Sequence, residues 1–120
     1  MHSIVVVEDN DSMALLMETI LSSADFAVHI AESGEEALVI CQNHNPSLIF
    51  MDLELPHMDG FTASAMIMNE YPGANIIGYS ADMSPTVKRK CLASGMVDAY
   101  DKAVDPDSLI TIAKKHTVEK

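Results

Sequence analysis

Apolar and polar positions along this chain follow two alternating rhythms. Ile4-Val5-Val6-Val7 is a continuous β-branched run, stopped by the acids Glu8 and Asp9. A run apolar on both faces predicts a central strand of a parallel sheet. Further strand candidates are Ala27–Ala31, Leu48-Ile49-Phe50-Met51, Ile76-Ile77-Gly78-Tyr79 and Val97–Tyr100. The segments between them have helical length and readable ends. Ser33-Gly34-Glu35-Glu36 reads as a capping box. Ser84-Pro85 and Asp105-Pro106 each place a cap residue before a proline at the first helical position. Asn45-Pro46 and Tyr71-Pro72-Gly73 end the second and third helices, and Gly95 ends the fourth. Strands and helices thus alternate, which predicts right-handed βαβ crossovers and a doubly wound α/β fold with both faces of a parallel sheet covered. No internal repeat or linker divides the chain, so residues 1–120 form one domain. In such sheets ligands sit beyond the carboxyl ends of the strands, at the point where the winding reverses.

Composition narrows the classes. Of 120 residues, 48% are hydrophobic and 21% charged, with mean hydropathy +0.14. Those values belong to a globular domain rather than a disordered chain. No apolar run approaches the roughly 18 residues of a membrane span, and Met1-His2-Ser3 lacks the basic start of a secretory signal. Cys41 and Cys91 are far apart with no CxxC spacing, which argues against a disulfide framework or a zinc site and fits a cytoplasmic location. The formal charge is −11, from 18 acids and 7 bases, and no lysine or arginine precedes Lys88. An acidic body repels phosphate backbones and anionic membranes, so neither nucleic acid nor membrane is an expected direct partner.

The strand ends carry the chemistry. Glu8-Asp9 follow the first strand, Asp52 the third, Ser80 the fourth and Lys102 the fifth. If the first and third strands are neighbours, three carboxylates converge, and like charges a few ångströms apart raise each other's pKa. A hard divalent cation relieves this, and Mg²⁺ suits one or two carboxylates plus waters and a phosphate. Ser80 and Lys102 are then candidate ligands for phosphoryl oxygens. A carboxylate nucleophile beside Mg²⁺, with a cation and a hydroxyl opposite, is equipment for phosphoryl transfer to an aspartate.

Over nearly its whole length the chain resembles the receiver domain of two-component response regulators. The pieces that carry the likeness are IVVVEDN, IFMDLELPHMDG around Asp52, IIGYSAD, and Gly95 through Lys102. The resemblance implies a flavodoxin-like (βα)5 fold with strand order 2-1-3-4-5. It implies that Asp52 accepts a phosphoryl group from a phosphohistidine on a histidine kinase or histidine phosphotransfer protein. Asp9 and Asp52 would bind Mg²⁺ directly with the backbone carbonyl of Glu54, Glu8 would act through water, and Ser80 and Lys102 would take the phosphoryl oxygens. Two positions depart from the family pattern. Ala103 stands where many receivers carry a proline on a cis peptide. Ala99 stands where many carry an aromatic switch, with Tyr100 one residue later. A cis bond before alanine costs about 2.5–4 kcal/mol, so a trans bond is expected there. Tyr100 has the opposite strand parity to Ala99, so it is not expected to switch.

Two surfaces are candidates for partners. Met13-Ala14-Leu15-Leu16-Met17 spans more than a full helical turn, so part of it must face solvent beside the acidic pair. That makes the first helix the expected docking face for a kinase or phosphotransfer helix. Lys88-Arg89-Lys90, in the fourth helix, is either an ordinary solvated face or a surface for an acidic partner or a second copy of the chain. His57 has no companion at ligand spacing and reads as a loop residue. A rival function is a small Mg²⁺ phosphatase of haloacid dehalogenase type, with Glu54 in the acid/base position two residues after Asp52. The shortness of the chain and the placement of Glu8-Asp9 before Asp52 stand against it. The intact acids, Ser80 and Lys102 stand against a degenerate receiver acting only as a binding module.

Overall fold

The computed structural model describes residues 2–117. Five parallel strands, β1 (Ser3–Val7), β2 (Ala27–Ala31), β3 (Leu48–Asp52), β4 (Ile76–Ser80) and β5 (Asp98–Asp101), form one sheet in the order β2-β1-β3-β4-β5. Helices α1 (Asp11–Ser23), α2 (Gly34–His44), α3 (Gly60–Glu70), α4 (Pro85–Ala93) and α5 (Pro106–His116) connect and follow them. This is the flavodoxin-like (βα)5 arrangement. Asp52 and Ser80 close their strands rather than following them, and β5 begins at Asp98, one residue later than the apolar pattern indicates.

Side-chain alternation along the strands divides the interior into two cores. Val5, Val7, Ile49, Met51 and Ile76 pack with Ala37 and Cys41 of α2, Ala63 and Ile67 of α3, and Cys91 of α4. On the other face Ile4, Val6, Leu48, Phe50, Ile77 and Tyr79 pack with Met17 and Leu21 of α1 and Leu109 and Ala113 of α5. That explains why β1, β3 and β4 are apolar without interruption: every residue of β3 and β4 is buried, and so are Ile4–Val7. Burying each large aliphatic side chain contributes about 1.5–3 kcal/mol.

Each helix starts on a side-chain cap. Ser33, Ser84 and Asp105 accept the backbone N–H of Glu36, Val87 and Ser108. Asn10 and Asp59 do the same for α1 and α3 through Met13 and Thr62; these two caps were not read from the sequence. Each is worth about 1 kcal/mol. Pro85 and Pro106 open their helices as expected, and Gly95, at φ +104°, turns the chain after α4. The start of α3 presses on the end of β3. A Cβ on Gly60 would lie 2.4 Å from the Asp52 carbonyl oxygen and 2.8 Å from Leu53 Cα. Among the described residues every peptide bond is trans, Lys102–Ala103 included.

Candidate functional site

Parallel pairing of β1 with β3, Val7 opposite Met51, sets Glu8 and Asp52 side by side at the carboxyl end of the sheet. Both are 1% exposed, while Asp9 stands in solvent. One carboxylate oxygen from each of Glu8, Asp9 and Asp52 lies within 4.8 Å of the others, and among the described residues no other three His, Cys, Asp or Glu side chains converge in this way. Hard oxygen donors, two of them carboxylates withdrawn from solvent, form a set suited to a hard divalent cation.

Lys102, just past β5, reaches into this cluster. Its Nζ lies 3.1 Å from Glu8 Oε1 and 3.1 Å from Asp52 Oδ2. The other Asp52 oxygen accepts the Glu54 N–H at 2.9 Å. Glu8 Oε2 accepts the Asn10 N–H at 3.1 Å, so the residue that caps α1 also steadies the buried acid. The Tyr79 hydroxyl donates toward the Val7 carbonyl at 3.1 Å and Glu8 Oε1 at 3.4 Å. Ser80 Oγ donates to Glu54 Oε1 at 2.6 Å and accepts the Asp82 N–H at 3.1 Å.

One ammonium thus faces two buried carboxylates and a third at the rim. Burial holds the Glu8 carboxyl above its usual range. Asp52 pushes the same way through its charge and a shared hydrogen bond, against the Asn10 N–H and Lys102. Burial alone would lower the Lys102 pKa, but its contacts with Asp52 and Glu8 outweigh that and hold the ammonium charged. Burial and the neighbouring Glu8 and Asp52 charges raise the Tyr79 phenol far above its ordinary value, so it stays protonated and able to donate.

Glu8, Asp9, Asp52 and Lys102 come together as the strand-end reading expects. Ser80 sits at the adjacent strand end, but its hydroxyl is engaged by Glu54. His57 is an exposed loop residue with φ 66°. Tyr79 and Asn10 were missed as members of the site. Tyr79 had a signal, since it lies across from Asp52 in the β3–β4 register with a hydroxyl that needs a partner when buried.

Fold and acidic cluster together define a phosphoacceptor module of the two-component kind. The chain matches the response regulator receiver domain model over residues 4–114 and belongs to that family. It is 36% identical over 110 residues to the CAI-1 autoinducer sensor kinase/phosphatase CqsS of Vibrio cholerae, covering 89% of this chain and 16% of that one. It is 31% identical over 120 residues to hybrid signal transduction histidine kinase C of Dictyostelium discoideum, covering 93% and 10%. The chain therefore spans only a small part of the length of these curated relatives. Among solved structures, the BeF3-activated N-terminal receiver domain of Klebsiella pneumoniae RstA matches with a TM-score of 0.90 at 25% identity, covering 98% of this chain and 99% of that one. The chemotaxis protein CheY4 of Vibrio cholerae matches with the same TM-score of 0.90 at 25% identity, covering 96% and 98%. Among the described residues no helix is long and apolar enough to cross a membrane.

Proposed function

We propose that Asp52 is the phosphoacceptor, taking its phosphoryl group from a phosphohistidine on a histidine kinase or histidine phosphotransfer protein. The observation that carries this reading is the setting of Asp52. It is a buried carboxylate oriented by the Glu54 N–H at 2.9 Å and approached by a lysine at 3.1 Å. An Asp52 oxygen forms the new O–P bond as the P–N bond breaks, and the bonding pair returns to the imidazole nitrogen. Lys102 bridges Asp52 and Glu8 before transfer and offers its ammonium to a phosphoryl oxygen afterwards. The Ser80 hydroxyl serves a second phosphoryl oxygen. Glu8 stays anchored by Asn10 and keeps the local field negative enough to hold Lys102 charged. Mg²⁺ fits the donor set, held by Asp9, Asp52 and the backbone carbonyl of Glu54 with Glu8 acting through water, and it would supply charge neutralisation for the incoming phosphoryl oxygens.

Leu15 and Leu16 of α1, 63% and 53% exposed, lie in the helix that starts beside Asp9. They support α1 as the docking face for the phosphohistidine partner. Lys88, Arg89 and Lys90 on α4 are all exposed and support a second surface there, for an acidic partner or another copy of the chain. The same reading puts the chain in the cytoplasm, where free thiols such as Cys41 and Cys91 stay reduced. Against the phosphatase alternative, the Glu54 carboxylate that would act as its acid/base accepts from Ser80 in the unphosphorylated chain, and the acidic pair Glu8-Asp9 precedes Asp52 rather than following it.

The test is intact-mass spectrometry after acetyl phosphate and Mg²⁺. A single phosphoryl adduct on the wild type, absent in Asp52→Asn and in EDTA, is expected. An adduct that persists in Asp52→Asn overturns the assignment, and repeated turnover of a generic phosphate ester would favour the phosphatase.

A further inference from the structure

We infer that Glu54 is a latch: its carboxylate occupies the Ser80 hydroxyl in the resting state and must release it before that hydroxyl can serve a phosphoryl group on Asp52. The inference rests on the phosphoacceptor reading and adds to it a resting-state competitor within the chain. A serine hydroxyl has one proton to donate. Here that proton goes to Glu54 Oε1 at 2.6 Å, within the range of a hydrogen bond strengthened by a charged acceptor. The oxygen is also fixed from the other side, accepting the Asp82 N–H at 3.1 Å. Ser80 cannot serve an oxygen on Asp52 while it serves Glu54.

The geometry makes the exchange feasible. Glu54 is only two residues beyond Asp52, and its own N–H holds Asp52 Oδ1. One residue therefore touches the acceptor through its backbone and Ser80 through its side chain. Glu54 is exposed while Ser80 is 3% exposed, so a released carboxylate is rehydrated at once. The hydroxyl has no such recourse and goes to the nearest anionic oxygen. In the resting state Glu54 fills, for Ser80, the role of the phosphoryl group. Glu54 is on this account a positioning residue that acts through Ser80.

The experiment measures beryllofluoride affinity by titration calorimetry at saturating Mg²⁺, in wild type, Glu54→Ala, Glu54→Gln, Ser80→Ala and Glu54→Ala/Ser80→Ala. Removing the competing acceptor should tighten binding roughly two- to tenfold in Glu54→Ala, the range set by one net hydrogen bond. The same substitution in the Ser80→Ala background should change affinity much less, because no proton remains to be released. Glu54→Gln, which keeps a carbonyl acceptor, should lie between wild type and Glu54→Ala. Equal tightening with and without Ser80, or Gln and Ala behaving alike, would mean that Glu54 acts through charge alone and would overturn the latch. Weaker or unchanged binding in Glu54→Ala would overturn it as well. Wild type that fails to bind, or Asp52→Asn that binds equally, would instead bring down the phosphoacceptor reading itself, and the latch with it.

Discussion

Tyr100 lies almost flat against Tyr79, ring centroids 5.8 Å apart and planes 13° from parallel. Phe50 meets Tyr100 edge-on at 5.9 Å. The ring is therefore held on the α1/α5 side of the sheet, whereas Ala99 packs in the α2/α3/α4 core. Its hydroxyl is buried with no hydrogen-bond partner among the described residues. A polar atom in that position costs about 1–3 kcal/mol. Tyr100→Phe should then raise stability by about 1 kcal/mol in urea unfolding, and leave Asp52 phosphorylation intact. Loss of stability would show that the hydroxyl makes a contact in solution. Side-chain NMR with and without beryllofluoride should find one Tyr100 rotamer in both states.

Relief of the crowded carboxylates should appear as stabilisation. Binding to the native state alone adds about 2.7 kcal/mol at a hundred times the dissociation constant. Millimolar Mg²⁺ is expected to raise the Tm of the wild type and to leave Asp9→Asn/Asp52→Asn unmoved. An equal rise in both would place the ion elsewhere.

The exposed large apolar residues of α1 are Leu15 and Leu16, whereas Met13 is half-buried against the α1/α5 core. A docking test therefore belongs on the leucines. Leu16→Lys should slow transfer from a phosphohistidine partner about tenfold, the effect of losing one apolar anchor, with acetyl phosphate labelling unchanged. Equal loss with both donors would indicate a damaged fold rather than a damaged interface.

His29 on β2 stacks on His44 at the end of α2, centroids 4.0 Å apart. Burial, with the His44 charge adding to it, holds the His29 pKa below its ordinary 6.5. With a lowered folded pKa, the unfolded chain binds the proton first as pH falls. The pair's contribution is present in full above pH 6.5 and is lost between 6.5 and the lower folded value. His29→Phe keeps the stacking surface and should flatten the stability profile between pH 7 and 5. A profile parallel to wild type would assign the acid sensitivity to other groups.

Gly60 has no room for a side chain, since a Cβ would meet the Asp52 carbonyl and Leu53 Cα. Both obstacles are backbone, so Gly60→Ala must shift either α3 or the end of β3. A cost of about 1–3 kcal/mol is expected in chemical denaturation, together with slower acetyl phosphate labelling, because the displaced strand end is the one that carries Asp52. Unaltered labelling would mean that α3 alone gives way.

Much of this was legible in the chain. The uninterrupted apolar runs marked β1, β3 and β4 because each is buried on both faces. Ser33, Ser84 and Asp105 marked helix starts because a side-chain oxygen three residues before a free N–H has few other uses. Glu8, Asp9, Asp52 and Lys102 stood at strand ends, and parallel winding brings such ends together. What escaped was pairing that depends on rotamers and on register between distant strands. Nothing in the spacing of Glu54 and Ser80 says that their side chains meet across 26 residues. Nor does Asn10 announce that its N–H turns back to Glu8 while its side chain caps α1.

Lys102, just past β5, closes the site against acids at the ends of β1 and β3. Such contacts join parts of the chain that are remote in sequence, and contacts of that kind form only after the loop entropy between them has been overcome. A ribosome that has released β1 through β4 has made every carboxylate of the cluster but not the cation that holds them in order. With Lys102 as the proposed phosphoryl ligand, a chain synthesised only through β4 presents its acceptor carboxylate without the ammonium that would meet the phosphoryl group.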